Sequence, residues 1–178
     1  MGFKTFSGLA NCPRCVPEDK LFLVLPGTEL FVQKELYKGL FAEFGINFQE
    51  RGLRFDFDYI NSEGQYEKTV LVKEQYFFVG FPLSLGYSFK GFYAKVGAGL
   101  NHFVFRRFLR DGELVSTDKA VLQNHHWGSQ VAAGYVFPVS DRLKIDLGVI
   151  HSALYITNSR ARLVTRGMSV GLSYSLDG

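Results

Sequence analysis

From Phe77 to Phe89 every second residue is bulky and apolar: Phe77, Val79, Phe81, Leu83, Leu85, Tyr87 and Phe89. Between them lie Phe78, Gly80, Pro82, Ser84, Gly86 and Ser88, mostly small or polar. A period of two belongs to a β-strand whose faces meet different surroundings. The same alternation recurs along the chain, and helical spacing is nearly absent. It marks eight strands, at 3–9, 21–33, 40–50, 75–89, 92–105, 126–137, 142–155 and 167–176.

The connections alternate in length. Short turns are signalled near Tyr37-Lys38-Gly39, at Lys90-Gly91 and at 138–141. Long links cover 10–20, 51–74, 106–125 and 156–166. In an antiparallel meander this places every short turn at one end and every long loop at the other.

Eight strands close into a barrel with two distinct faces. The small and polar parity is rich in Gly, Ser and Ala but poor in Lys and Glu, so it is unsuited to coat the outside of a soluble barrel. It suits a narrow lumen, with the apolar parity turned to lipid. Aromatic residues sort by height in the way two interfacial girdles require. Tyr37, Tyr87, Phe89, Phe92, Tyr135, Phe137 and Tyr174 fall near the short-turn ends or the C-terminus. Phe48, Phe77, Phe105, Trp127 and Tyr155 fall near the long-loop ends. The expected fold is therefore all-β, an eight-stranded antiparallel up-and-down transmembrane β-barrel with short periplasmic turns and long extracellular loops. It forms a single domain over 1–178, in which 51–74 is an extended extracellular hairpin.

Composition narrows the classes further. With 47% hydrophobic and 16% aromatic residues, the chain is not disordered. No run of about 18 apolar residues offers a membrane helix. The net charge of +3 and the lack of a recognition motif argue against a nucleic-acid partner. Met1-Gly2-Phe3-Lys4 leads directly into strand-like sequence without an apolar signal core, so a leader is expected to have been removed before residue 1.

Four segments resemble the small outer-membrane β-barrel domain proteins of Bacteroidota, the group that includes PorT-like proteins. "LFAEFGINFQERG" (40–52) is similar to the family's third strand, with its inward Glu and terminal Gly. "FVGFPLSLGYSF" (78–89) resembles its aromatic-x-x-x-Pro strand, and "GFYAKVGAGLNHFV" (91–104) the hairpin arm that follows. "GLSYSL" (171–176) resembles the terminal signal read by the barrel-insertion machinery, with Leu176 where most such signals carry Phe. The resemblance implies an architecture and an outer-membrane location. It implies no reaction, and makes a secretion complex one setting among several.

The chemistry-bearing residues are weighed on that frame. Glu29, Glu43, Lys95, Lys144 and Asp146 share the inward parity with Gln33, Asn47, Asn101 and Gln130. They are expected to form a lumen polar network of Glu29, Glu43, Lys95, Asn101, Gln130, Lys144 and Asp146 rather than a catalytic set, because buried charges are paired. Cys12 and Cys15 are spaced for a local disulfide, with a redox pair, half a zinc site or two free thiols as the alternatives. His125 and His126 point to opposite faces of a strand and cannot chelate together. His151 and Ser152 are likewise adjacent, so they do not match the same-face His and Ser of lipid A deacylase barrels. Arg106, Arg107 and Arg110 in the third long loop, with Arg160, Arg162 and Arg166 in the fourth, are candidates for lipopolysaccharide contacts or for a solvated loop surface.

The segment 53–59 alternates Leu53, Phe55, Phe57 and Tyr59 against Arg54, Asp56 and Asp58. Its apolar parity is the opposite of that in 40–50, which predicts a bulge at Gly52. With 66–74 it is expected to form a two-stranded ribbon above the membrane and a partner-binding surface. No catalytic, cofactor or metal residues are assigned. The expected role is a non-enzymatic outer-membrane anchor, interaction module or envelope-complex subunit, in contact with outer-membrane lipid, lipopolysaccharide and other envelope proteins. The competing readings are a membrane-embedded enzyme acting on lipid A or phospholipid, and a soluble lipid-binding barrel.

Overall fold

The computed structural model describes residues 1–11, 23–62, 64–118, 125–156 and 162–175, apart from the side chains of 6–11, 23–25, 53–55, 57 and 60. They form β1 (Gly2–Asn11), β2 (Leu23–Tyr37), β3 (Leu40–Ile60), β4 (Tyr66–Phe89), β5 (Phe92–Arg110), β6 (Glu113–Asp118), β7 (His125–Pro138), β8 (Leu143–Tyr155) and β9 (Arg162–Tyr174). All pairings are antiparallel. β1 pairs with both β2 and β9, while β4 pairs with β5 and β5 with β7. The sheet thus closes into a ring of eight strands, with β6 appended to the upper part of β5. Closure pairs the backbone groups that hydrocarbon could not solvate. None of the helices searched among the described residues is long and apolar enough to cross a membrane, as strands do here.

The short turns lie where the sequence predicts them. Lys38-Gly39 and Lys90-Gly91 both have positive φ (40° and 88°, then 50° and 88°), the geometry of two-residue hairpins that follow the twist of their strands. At 139–142 the Ser140 hydroxyl accepts from the Leu143 amide at 3.1 Å.

The outward face is a broad apolar band, broken on β8 and β9 by His151 and Arg166. Leu83 and Val96 are 59% and 61% exposed, and Leu30, Phe44, Val131, Val149 and Val170 stand equally open. Below the band Phe92, Tyr135 and Phe137 pack ring to ring at 4.7 and 4.6 Å. Above it Phe48, Phe77 and Phe105 stack at 5.9 and 4.3 Å. Trp127 and Tyr155 continue that upper level as direct cross-strand neighbours. These are the two girdles of a transmembrane barrel.

The inward face is crowded, which explains its small residues. A Cβ on Gly80 would lie 2.3 Å from Asn47 Oδ1 and 2.6 Å from Asn101 Oδ1. Glycine there leaves room for polar side chains of neighbouring strands.

Three sequence expectations need correction. First, β3 passes through Gly52 without a bulge, since its register with β4 is continuous from Leu40 to Tyr59. The change of apolar parity is real but has another cause. The same face of β3 that lines the lumen below 52 faces a different environment above it. The bulge lies instead in β5, where Phe77 pairs with Phe105 and Phe78 with Phe103, leaving Val104 as the extra residue. Second, the segment 106–125 is not all loop. β5 runs on to Arg110, turns at Asp111-Gly112 and returns as β6. Third, the ribbon is therefore not two-stranded. β3, β4, β5 and β6 continue above the upper girdle as a four-stranded sheet.

The face assignment has a direct consequence. Leu83→Arg or Val96→Arg puts a charge into the lipid-facing band and is expected to cost about 2–4 kcal/mol near the midplane. Equilibrium folding into lipid vesicles measures it, and unchanged stability in both variants would mean the faces are inverted.

Candidate functional site

The lumen is filled in layers. The layer nearest the short turns is charged. Lys4 Nζ lies 3.1 Å from Asp146 Oδ2 and 3.7 Å from Glu43 Oε2, and Lys95 donates to Glu43 Oε1. Tyr93 donates to Asp146 Oδ1 at 2.9 Å. The Lys4 ammonium also sits over the Phe31 and Tyr93 rings, at 4.5 and 5.3 Å. Glu29 is buried with these groups, and its Oε1 has no hydrogen-bond partner among the described residues. These residues come from five strands of the closed ring, β1, β2, β3, β5 and β8.

An amide layer follows. Gln130 donates to Ser84 Oγ at 3.0 Å, and Gln49 donates to Asn101 and Asn47 at 2.5 and 3.1 Å. Arg51 covers it from above, donating to Gln49 Oε1 at 2.9 and 2.7 Å, Ser152 Oγ at 2.9 Å and the Leu163 carbonyl at 2.9 Å. A cavity of about 30 Å³ lies among these groups, room for one water. Phe78, Phe103, Leu154 and Leu163 close the top as a dry plug, with His126 edge-on to Phe78 at 5.8 Å.

Of the residues expected in the polar network, Glu29, Glu43, Lys95, Asn101, Gln130 and Asp146 are buried inside the ring. Lys144 is not. It shares their parity but is exposed at the short-turn rim, opposite Pro138 and Ser173. Gln33 is exposed as well. Lys4 stands in for Lys144 between Asp146 and Glu43, a role that the weak alternation of the first strand concealed. Arg51 was also missed, because it follows the last clear strand position.

The arginine cluster divides. Arg106 bonds Asp118 Oδ2 at 2.8 Å and lies 3.7 Å from Glu74, and Arg110 sits 4.6 Å over the Tyr59 ring. Both belong to β5 and are engaged within the sheet, so their expected placement in a loop is corrected. Arg107 points the other way, over Phe77 and Phe105 at 5.2 and 5.4 Å. Arg162 and Arg166 are exposed on β9. Arg160, Cys12 and Cys15 lie outside the described residues.

The extracellular sheet has its own interior. Val70 and Val72 are buried, and the backbone register sets Phe57 and Phe55 opposite them. The side chains of Leu53, Phe55 and Phe57 lie outside the described residues; Tyr59 is half-buried. The Asp111 carboxylate accepts from the Leu71 amide while the Asp111 amide donates to the Leu71 carbonyl, both at 2.9 Å. That pair ties the β5–β6 turn to β4. On the edge strand, Leu114 and Val115 remain largely exposed.

Among the described residues no group of His, Cys, Asp and Glu is arranged to hold a metal. His125 and His126 face opposite sides of the wall, and His151 faces outward while Ser152 bonds Arg51 inside.

Two solved structures resemble the chain in fold. One is Neisserial surface protein A (NspA), 10% identical, covering 97% of this chain and 96% of that one with a TM-score of 0.56. The other is Ail, the attachment invasion locus protein of Yersinia pestis in complex with the heparin analogue sucrose octasulfate, 13% identical, covering 97% and 95%, with a TM-score of 0.49. No family model matches the sequence, and no curated protein matches it significantly. The fold is that of the small eight-stranded outer-membrane β-barrels, a coarser placement than the Bacteroidota resemblance of its segments.

Two measurements probe these sites. Glu29→Gln and Glu43→Gln are chemically the same change. Glu29→Gln removes a carboxylate with an unbonded oxygen and is expected to hold or raise the thermal midpoint. Glu43→Gln strips both lysines of a shared partner and is expected to cost about 3–5 kcal/mol. Circular dichroism melts in detergent, checked by gel heat-modifiability, compare the two; equal losses would count against this account of the charged layer. The hydrogen bond from Arg106 holds the Asp118 carboxyl below the ordinary carboxylate range. A depressed carboxylate contributes above its ordinary value of about 4 and loses that contribution as pH falls through its lower folded value. Protection of β6 amides from hydrogen exchange is expected to drop in that window and not in Asp118→Asn, which starts at the lower level.

Proposed function

We propose that the chain is a non-enzymatic outer-membrane barrel whose working surface is the extracellular sheet of β3–β6. One observation carries this reading: the lumen is filled from charged layer to plug, while the sheet above it extends past the membrane and ends on an exposed edge strand. A packed lumen serves neither conduction nor turnover. The sheet holds buried valines, an inward Arg106–Glu74–Asp118 cluster and a tied-down turn, more order than a solvated loop requires. The backbone register sets Phe55 and Phe57 of β3 opposite the buried Val72 and Val70 of β4, and the docking residues are those on the sheet's free edge, Leu114 and Val115. Exposed apolar residues on an edge unpaired among the described residues suit strand addition by another envelope protein, a secretion complex being one setting.

A lipid-modifying enzyme needs an outward catalytic set at one height. His151 and Arg166 are the outward polar pair on β8 and β9; Ser129 shares the outward parity on β7 but pairs with Ala153 rather than His151, and no carboxylate faces outward beside them among the described residues. The test is site-specific photocrosslinking in intact cells. A photoreactive residue at 114 or 115 is expected to give a protein adduct of discrete mass, and one at 83 only lipid. Adducts absent from the sheet edge, or equal at both places, would remove this reading.

A further inference from the structure

The outward faces of β8 and β9 form a ladder that repeats every four residues. Tyr155 pairs with Arg162, His151 with Arg166, Leu147 with Val170 and Leu143 with Tyr174. The first rung lies at the upper girdle and the last at the lower one. Four residues span about 13 Å of strand, or about 10 Å along the membrane normal for a strand tilted by about 40°. His151 and Arg166 therefore sit roughly a third of the way down the hydrocarbon, on the lipid side. Both are exposed, among Val131, Val149 and Met168, which are open to lipid too.

An outward arginine at this depth is costly, and ionisable groups inside a bilayer are retained for a task. The local geometry is built rather than random. Arg166 Nε donates to His151 Nδ1 at 3.3 Å. That bond fixes the guanidinium plane and requires the neutral imidazole with its proton on Nε2. The Nη groups of Arg166 and the Nε2–H of His151 have no protein acceptor among the described residues, nor has Arg162 one rung above. Among the described residues no Asp or Glu stands at an outward position between the girdles, so a second copy of the barrel offers no carboxylate at this level from them.

We propose that His151, Arg166 and Arg162 form a lipid-facing site for the phosphate of an outer-leaflet lipid. A free anion has no route into hydrocarbon. A lipid phosphate arrives with its own acyl chains, which cover Val131, Val149 and Met168 while the headgroup is drawn down to the paired donors. Arg162 meets it at the interface, and Arg166 presents its fork for two parallel hydrogen bonds. The proposal rests on membrane residence and orientation, not on the extracellular sheet as a docking surface.

The experiment uses the full barrel, delipidated in detergent and titrated by native mass spectrometry. The probes are dioleoylphosphatidylglycerol, the diacylglycerol of the same chains, and inorganic phosphate. The wild type is expected to retain one phosphatidylglycerol at least about tenfold more tightly than diacylglycerol, the scale of a charge-assisted pair. Arg166→Gln and Arg166→Leu are expected to lose that preference, while Arg107→Gln, on another wall, keeps it. Arg166→Leu suits lipid better than the arginine, so its heat-modifiability on gels is expected to be retained and shows that the variant is folded. The idea is overturned if Arg166→Leu retains the phospholipid like the wild type. It is equally overturned if inorganic phosphate displaces the lipid, or if the wild type but not Arg166→Leu runs as a dimer. Any of these results leaves the crosslinks at the sheet edge unaffected, so the two readings fail separately.

Discussion

Hydrocarbon cannot hydrogen-bond a peptide group, and every other feature of this molecule follows from that. The β1–β9 pairing from Gly2 to Asn11 is what turns a row of strands into a ring. Without it two edges would stand open in lipid. Once the ring is closed with eight strands its radius is set, and its interior is just wide enough for side chains. The inward residues then have to fit one another. Glycines at positions such as Gly80 are the spaces into which Asn47 and Asn101 reach.

A charged lumen follows from the same narrowness. Buried ions are tolerated when their partners are close and fixed, and the barrel wall supplies both conditions. Lys4, from the first strand, meets Asp146, from the eighth, because ring closure puts the two ends of the chain side by side. The charged layer thus joins strands far apart in sequence, and lets the wall outside stay apolar. Arg51 repeats the arrangement near the other mouth, where its three bonded neighbours come from β3, β8 and β9.

Within the membrane the architecture was legible because one face of each strand had a single environment. Alternation, short Lys-Gly turns and sorted aromatics gave strand number, faces and polarity. Legibility ended where that condition ended. Above Gly52 the lumen-side face of β3 no longer meets a polar interior, so its apolar parity reverses without any change in backbone, and the reversal mimics a bulge. The true bulge at Val104 left no reversal to notice, since Phe103, Val104 and Phe105 are all apolar. Asp111-Gly112 was an available hairpin signal between two short alternating runs. Lys144 and Lys4 show the remaining limit: parity says which wall a side chain belongs to, and depth along that wall comes only from the register of neighbouring strands.

The extra residue in β5 is in effect a change of reading frame at the water boundary. Below it, odd positions such as Tyr93, Lys95 and Asn101 face the lumen; above it, even positions such as Arg106 take the inner side while Arg107 is turned outward. The membrane half and the water half of one continuous strand are thereby phased independently. Substitutions that vary the surface sheet are read in one frame and those that keep the barrel in lipid in the other. A β-strand with a single such joint can serve a conservative solvent and a variable one without compromise between them.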